Sequence, residues 1–148
     1  MPFEPGLASA LGDSETYDLK RSKISLEKVL RIQGYRDLST VRKDVREIAT
    51  TMTARAATLV APTATFRRTP VESCDGSSLR LSTGTSFNYG GFEAILRNCD
   101  HVLPFILTLG EEVDKEVGQL LEKGEIVEAL FLETAGWISI EQASRELA

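Results

Sequence analysis

The closing stretch His101–Leu147, HVLPFILTLGEEVDKEVGQLLEKGEIVEALFLETAGWISIEQASREL, constrains the fold more than any other part of the chain. A compact apolar run of the buried-strand type, Val102–Leu107, leads into Thr108-Leu109-Gly110-Glu111. That tetrapeptide fits a capping box, in which the threonine oxygen takes an orphan amide and the glutamate reaches back. A helix is predicted from there, with Val113, Val117, Leu120 and Leu121 as its buried stripe. Glu111, Glu112 and Asp114 lie where the helix dipole favours anions, and Gly124 marks the stop. The last element, Glu125–Leu147, is almost wholly apolar over Ile126–Leu132 and turns polar towards Arg145-Glu146, so its first half is expected to be buried on most sides.

Upstream, residues 1–23 mix Pro, Gly, Ser and charges without a sustained period and read as a flexible arm. The domain proper is expected over residues 24–148. Ser25 suits the cap of a short helix in which Leu26, Val29 and Leu30 share a face, and Gly34 suits its left-handed stop. After a turn at Asp37–Ser39, Thr40 is placed to cap a second helix whose Val41, Val45, Ile48, Met52, Ala56 and Leu59 recur at three- and four-residue steps. The charges Arg42–Asp44, Arg46 and Glu47 read as its solvated side, and Pro62 closes it.

From Thr63 to Ser82 the composition becomes that of strands. Asp75-Gly76 separates two extended runs, which predicts a hairpin, and Pro70 belongs at an edge or a break because it cannot donate to a ladder. Gly84, Tyr89, Gly90 and Gly91 mark a loop, Phe92–Asn98 a short helix, and Pro104 another edge or bend. Helices interspersed with short strands give an α+β class, with a small mixed or antiparallel sheet packed against several helices.

Composition narrows the functional classes. The net charge of −5 and scattered bases leave nothing to neutralise a phosphate backbone, so nucleic acid is not an expected partner. No run approaches the ~18 apolar residues of a membrane span, and Met1–Leu11 lacks the features of a secretory signal, so a cytoplasmic location is expected and no membrane partner. In that compartment Cys74 and Cys99 are expected as reduced thiols. His101 is the only histidine. Beside Cys99-Asp100 it makes no dyad by adjacency, since strand neighbours point to opposite faces, and a strand-entry role is preferred to a catalytic base. The cysteine and histidine spacing matches no zinc site, and the glycines match neither phosphate-binding nor dinucleotide-binding patterns.

Glu133 is the acid that periodicity singles out. It falls in the stripe Ile126, Leu130, Trp137 and Ile140, where a partly desolvated carboxylate needs a cationic neighbour. The internal candidates are Arg67, Arg68 and Arg97, and the alternative is a cationic ligand. Glu141 lies two turns on, where periodicity alone makes it a solvated acid.

The pieces KVLRIQGY at Lys28–Tyr35, NYGGFEAILRNCDHV at Asn88–Val102, ILRNCDHVLPFILTLGEEVD at Ile95–Asp114 and EALFLETAGWISIEQ at Glu128–Gln142 together resemble the activation-domain-like family of cobalamin-dependent methionine synthase. The resemblance runs from about Lys28 to the end of the chain. It departs from the family pattern at Glu133, where Asp is more usual, and at the bulkier Trp137. It implies an activation-domain-like α+β fold in which Glu141, and with it Glu133, contributes to a site for S-adenosylmethionine. In the full enzyme that ligand is held above the corrinoid so that inactive cobalamin is reduced and remethylated.

Family members continue into a segment with an Arg followed by Pro-Gly-Tyr, which in methionine synthase supplies much of the ligand site. Nothing here matches it. The expectation is therefore a truncated, N-terminal part of the domain: either a second polypeptide supplies the missing half, or the scaffold persists without the site. The partners implied are a corrinoid protein or the methionine synthase core, with cobalamin carried on the partner. The rival is a non-catalytic interaction module that docks on a corrinoid protein or forms a homodimer, since an incomplete domain exposes apolar surface. A third class, an unrelated small enzyme working through Cys99 or paired acids, lacks an orienting partner in the sequence.

Overall fold

The computed structural model describes residues 14–147. In chain order they form β1 (Glu15–Asp18), α1 (Leu26–Ile32), a 3-10 turn (Leu38–Thr40), α2 (Lys43–Leu59), β2 (Thr63–Phe66), β3 (Thr69–Asp75), β4 (Ser78–Leu81), β5 (Ser86–Asn88), α3 (Phe92–Leu96), β6 (His101–Val102), β7 (Phe105–Thr108), α4 (Glu112–Glu122) and α5 (Ile126–Leu147). The class is α+β. The strands make two sheets, ordered β1-β2-β7 and β5-β4-β3-β6. The described chain divides into two compact units, one of residues 14–16 with 65–106 and one of 17–64 with 107–147. The strand at Glu15–Asp18 lies inside the expected arm, with Thr16 Oγ1 3.0 Å from Thr65 Oγ1. The rest of that arm, residues 1–13, lies outside the described residues.

The larger unit is built on helices. Ser25 caps α1 as expected, its Oγ accepting from Lys28 N at 3.3 Å. Gly34, at φ 94°, lets the chain turn so that Tyr35 N donates back to Leu30 O at 3.1 Å. Thr40 does not cap the second helix. Asp37 caps the intervening 3-10 turn instead, accepting from Ser39 N at 2.9 Å, and α2 starts at Lys43 with no side-chain cap. The inward face of α2 is Ala49, Thr53 and Ala56, with Val45, Ile48, Met52 and Leu59 half-buried beside it.

α5 packs against α2, α4 and α1 and buries Ala129, Phe131, Leu132, Thr134, Ala135, Gly136, Ile138, Ser139 and Ala143. Small residues on α2 and α5 let the helix backbones approach closely, while Leu30, Val29, Val60, Leu132 and Ile138 are the large side chains with almost no exposure. Each such side chain contributes about 1.5–3 kcal/mol relative to exposure.

Two expectations for this region are corrected. The capping box at Thr108–Glu111 does not form. Gly110 stands at φ 82°, which breaks the local helical path, so Thr108 Oγ1 accepts from Gly110 N at 3.1 Å and α4 begins only at Glu112. The stripe Ile126, Leu130, Glu133, Trp137 and Ile140 points outward, not into the core, with Ile126 65% and Trp137 69% exposed.

In the smaller unit, β3 and β4 form the expected antiparallel hairpin, with Asp75 opposite Ser78 and Gly76 at φ 56° in the turn. β5 pairs antiparallel with β4 in what was expected to be part of a loop. Pro70 is not on an edge strand: β3 is flanked by β4 and β6, and Pro70 sits opposite His101. The ladder tolerates it because β6 spans only His101–Val102, and Pro70 O still accepts from Ser82 N at 3.1 Å. The apolar run Val102–Leu107 is not one buried strand. It breaks at Leu103-Pro104 into β6 and β7, and Leu103, Phe105 and Ile106 are exposed.

Candidate functional site

The helical unit carries a groove of about 270 Å³, walled on one side by Thr108, Leu109, Gly110, Val113 and Asp114 and on the other by Glu133, Gly136, Trp137 and Ile140. The left-handed turn at Gly110 sets the first wall, since it swings the chain from β7 into α4. Gly136 lies on the second, facing the start of α4: a Cβ there would reach Val113 Cγ1 at 3.4 Å and Leu109 Cδ1 at 3.9 Å, ordinary contact distances.

Among the described residues two carboxylates, Asp114 and Glu133, line this groove, and no Lys, Arg or His does. Among the described residues Glu133 has no hydrogen-bond or ion-pair partner. Arg97 pairs with Glu93 at 2.5 Å, and Arg67 and Arg68 bond to Ser14 and His101. An apolar groove with two acids and an indole edge suits a cation with an organic body. A cation beside an exposed carboxylate gains only a screened attraction, and an indole face adds attraction of its own.

Glu141 is placed differently. It does not line the groove; Lys28 Nζ reaches its Oε2 at 2.6 Å and Arg145 Nη2 its Oε1 at 2.5 Å. The Lys28 hydrogen bond first, and the charges of Arg145 and Lys28 after it, hold the Glu141 carboxyl below its usual range. Its two oxygens are thus already engaged, at one end of α5. Sequence reasoning missed Asp114 and Gly136 as groove residues. The available signals were the periodicity that groups Glu133 with Trp137 and Ile140, and the bulk of the Trp137 indole.

The remaining sequence candidates do not assemble into a site. Cys74 and Cys99 are both unpaired thiols of intermediate exposure. His101 is exposed in β6, its Nδ1 3.4 Å from Arg68 Nη2. Among the described residues no group of three or more His, Cys, Asp and Glu side chains could hold a metal ion, and no helix is long and apolar enough to cross a membrane. No known protein-family model matches the chain, and no curated protein matches it either.

Proposed function

We propose that the chain is an activation-domain-like component of a corrinoid-dependent methyl-transfer system, assisting the S-adenosylmethionine-linked reactivation of a cobalamin protein. The observation that supports this reading is that parts of the two strongest motifs of the resemblance, Thr108–Asp114 from ILRNCDHVLPFILTLGEEVD and Glu133–Ile140 from EALFLETAGWISIEQ, line one acidic, apolar groove.

The groove's donor set fits part of that ligand. Glu133 is a carboxylate without a partner, suited to an ammonium or sulfonium, and Trp137, Val113 and Ile140 offer apolar walls. At about 270 Å³ it lies just below the ~300–1,000 Å³ of sites that enclose a whole drug-sized ligand. It therefore takes the charged end and leaves the remainder to be covered by another polypeptide. When bound, S-adenosylmethionine supplies the methyl group. The chain's own part is to orient the cationic end and to neutralise it, with Glu133 as the facing acid and Glu141 bracing α1 against α5.

Calorimetric titration of S-adenosylmethionine, with and without candidate corrinoid proteins, tests the reading. Micromolar binding that weakens about tenfold in Glu133→Gln is expected, a loss of about 1.4 kcal/mol. Running Glu141→Gln beside it decides which acid faces the ligand. No binding under either condition defeats the proposal.

A second reading, a non-catalytic interaction module, is favoured by the outward stripe on α5. Ile126, Leu130, Glu133, Trp137 and Ile140 follow the four- and three-residue steps of a coiled-coil seam, and three of the apolar members are at least 45% exposed. No basic residue lies between Lys123 and Arg145, so a second copy pairing through this seam would bring no cation to Glu133 from its own seam. A different protein, such as a corrinoid protein presenting a basic amphipathic helix, fits better than a homodimer. Light scattering with Leu130→Glu distinguishes them: an association abolished without loss of melting temperature supports docking, and a protein that stays monomeric with every corrinoid partner removes it.

A further inference from the structure

The smaller unit has a hollow of its own. This hollow, of about 310 Å³, is lined by Arg67, Thr69, Thr83 and Thr85 on its polar side and by Phe87 and Phe105 on its apolar side. Among the described residues Arg67 is the only charged one in its lining. Its Nη2 donates to Ser14 Oγ at 2.9 Å, its Nε is buried with no hydrogen-bond partner, and among the described residues no carboxylate pairs with it. A half-buried guanidinium is costly to keep without a counter-ion, since its charge is partly removed from water, and among the described residues no carboxylate compensates it.

A neighbouring hollow of about 400 Å³ shares Phe87, Pro104 and Phe105 with the first and is completed by apolar side chains alone, Leu79, Phe92, Leu96, Val102 and Leu103. A lone cation at one end and an uninterrupted hydrocarbon surface leading away from it make the two halves of an amphiphile site. We propose that this unit binds a medium-chain aliphatic carboxylate, its head on Arg67 and its tail across Phe87 and Phe105 into the second hollow. One guanidinium matches the single charge of a carboxylate, and its planar fork can donate to both carboxylate oxygens. A phosphate monoester, with a charge of about −1.5 to −2, would find only half its counter-charge here.

Octanoate titrated into the full chain, followed by calorimetry, tests this. Saturable one-to-one binding is expected, with acetate and octanol each at least about tenfold weaker, because each lacks one half of the match. Arg67→Gln should weaken octanoate about tenfold and leave octanol unchanged. Phe87→Asp, on an exposed side chain that the fold does not need, should also weaken octanoate, and it keeps the test decisive if the arginine variant does not fold. Octanoate that fails to bind, binds no better than octanol, or is displaced by inorganic phosphate overturns the proposal. Methyl-transfer ligands play no part in this test, so its outcome is independent of the function assigned to the α5 groove.

Discussion

Lys28 Nζ lies 2.6 Å from Glu141 Oε2, joining the first turn of α1 to the far part of α5 across most of the chain length. Arg145 takes the other oxygen. The carboxylate is half exposed, so the pair acts in a screened setting and its effect on stability is small. Its sign is nevertheless fixed. Because Glu141 is held below its ordinary value, its contribution is fully present above the unfolded value of about 4.3 and is lost as pH falls through the lower folded value. Glu141→Gln should therefore melt slightly below the wild type from pH 7 down to about 5, with the gap closing on further acidification. A gap that widens towards pH 3 contradicts the ion-pair account.

Two large side chains of α5 should behave in opposite ways. Leu132 is fully enclosed, and Leu132→Ala should cost about 2–5 kcal/mol in urea unfolding with an unchanged m-value. Trp137 is 69% exposed, and Trp137→Ala should stay within about 0.5 kcal/mol of the wild type. Equal losses would mean that α5 is rotated relative to the orientation described.

Gly110→Ala isolates a backbone effect. The position has φ 82°, and the nearest atom to an added Cβ is Ala61 Cβ at 3.6 Å, so space is available and only the conformation is penalised. A loss of about 1–2 kcal/mol is expected by chemical denaturation. A neutral result would show that the turn relaxes out of the left-handed region.

Gly136→Ala should separate stability from binding. Its Cβ would sit in ordinary contact with Val113, so replacing a mid-helix glycine should stabilise by up to about 1 kcal/mol. The same methyl narrows the α5 groove, so S-adenosylmethionine affinity, where found in the wild type, should fall. A variant that is destabilised, or one that binds unchanged, removes Gly136 from the groove wall.

Much of this architecture was legible because local chemistry dictates it. Ser25 and Gly34 bound α1, Asp75-Gly76 turns the hairpin, and Gly124 ends α4, each by a requirement internal to a few residues. The errors arose where two local solutions compete. Thr108 can cap a helix or close a turn, and the positive φ of Gly110 selects the turn; Thr40 is drawn into a 3-10 turn that Asp37 caps, and α2 starts without a side-chain cap. β1 offers no alternation in burial to betray it, since all four residues are exposed. Periodicity correctly grouped Ile126, Leu130, Glu133, Trp137 and Ile140, yet it cannot say which side faces inward when the opposite face is also apolar. The inward side here is the one with Ala129, Ala135 and Gly136, because small residues permit close helix packing. For the candidate groove, Glu133 was visible from that pattern, whereas Asp114 enters it only through the tertiary approach of α4 to α5.

The outward Trp137 is also the single tryptophan of the chain. Its intrinsic emission will consequently be long in wavelength and open to acrylamide quenching in the native protein, and will change little when the core melts. Far-ultraviolet dichroism is the proper monitor of folding, and indole fluorescence becomes a built-in reporter of whatever settles on α5, blue-shifting and losing quencher access when a ligand or another protein arrives.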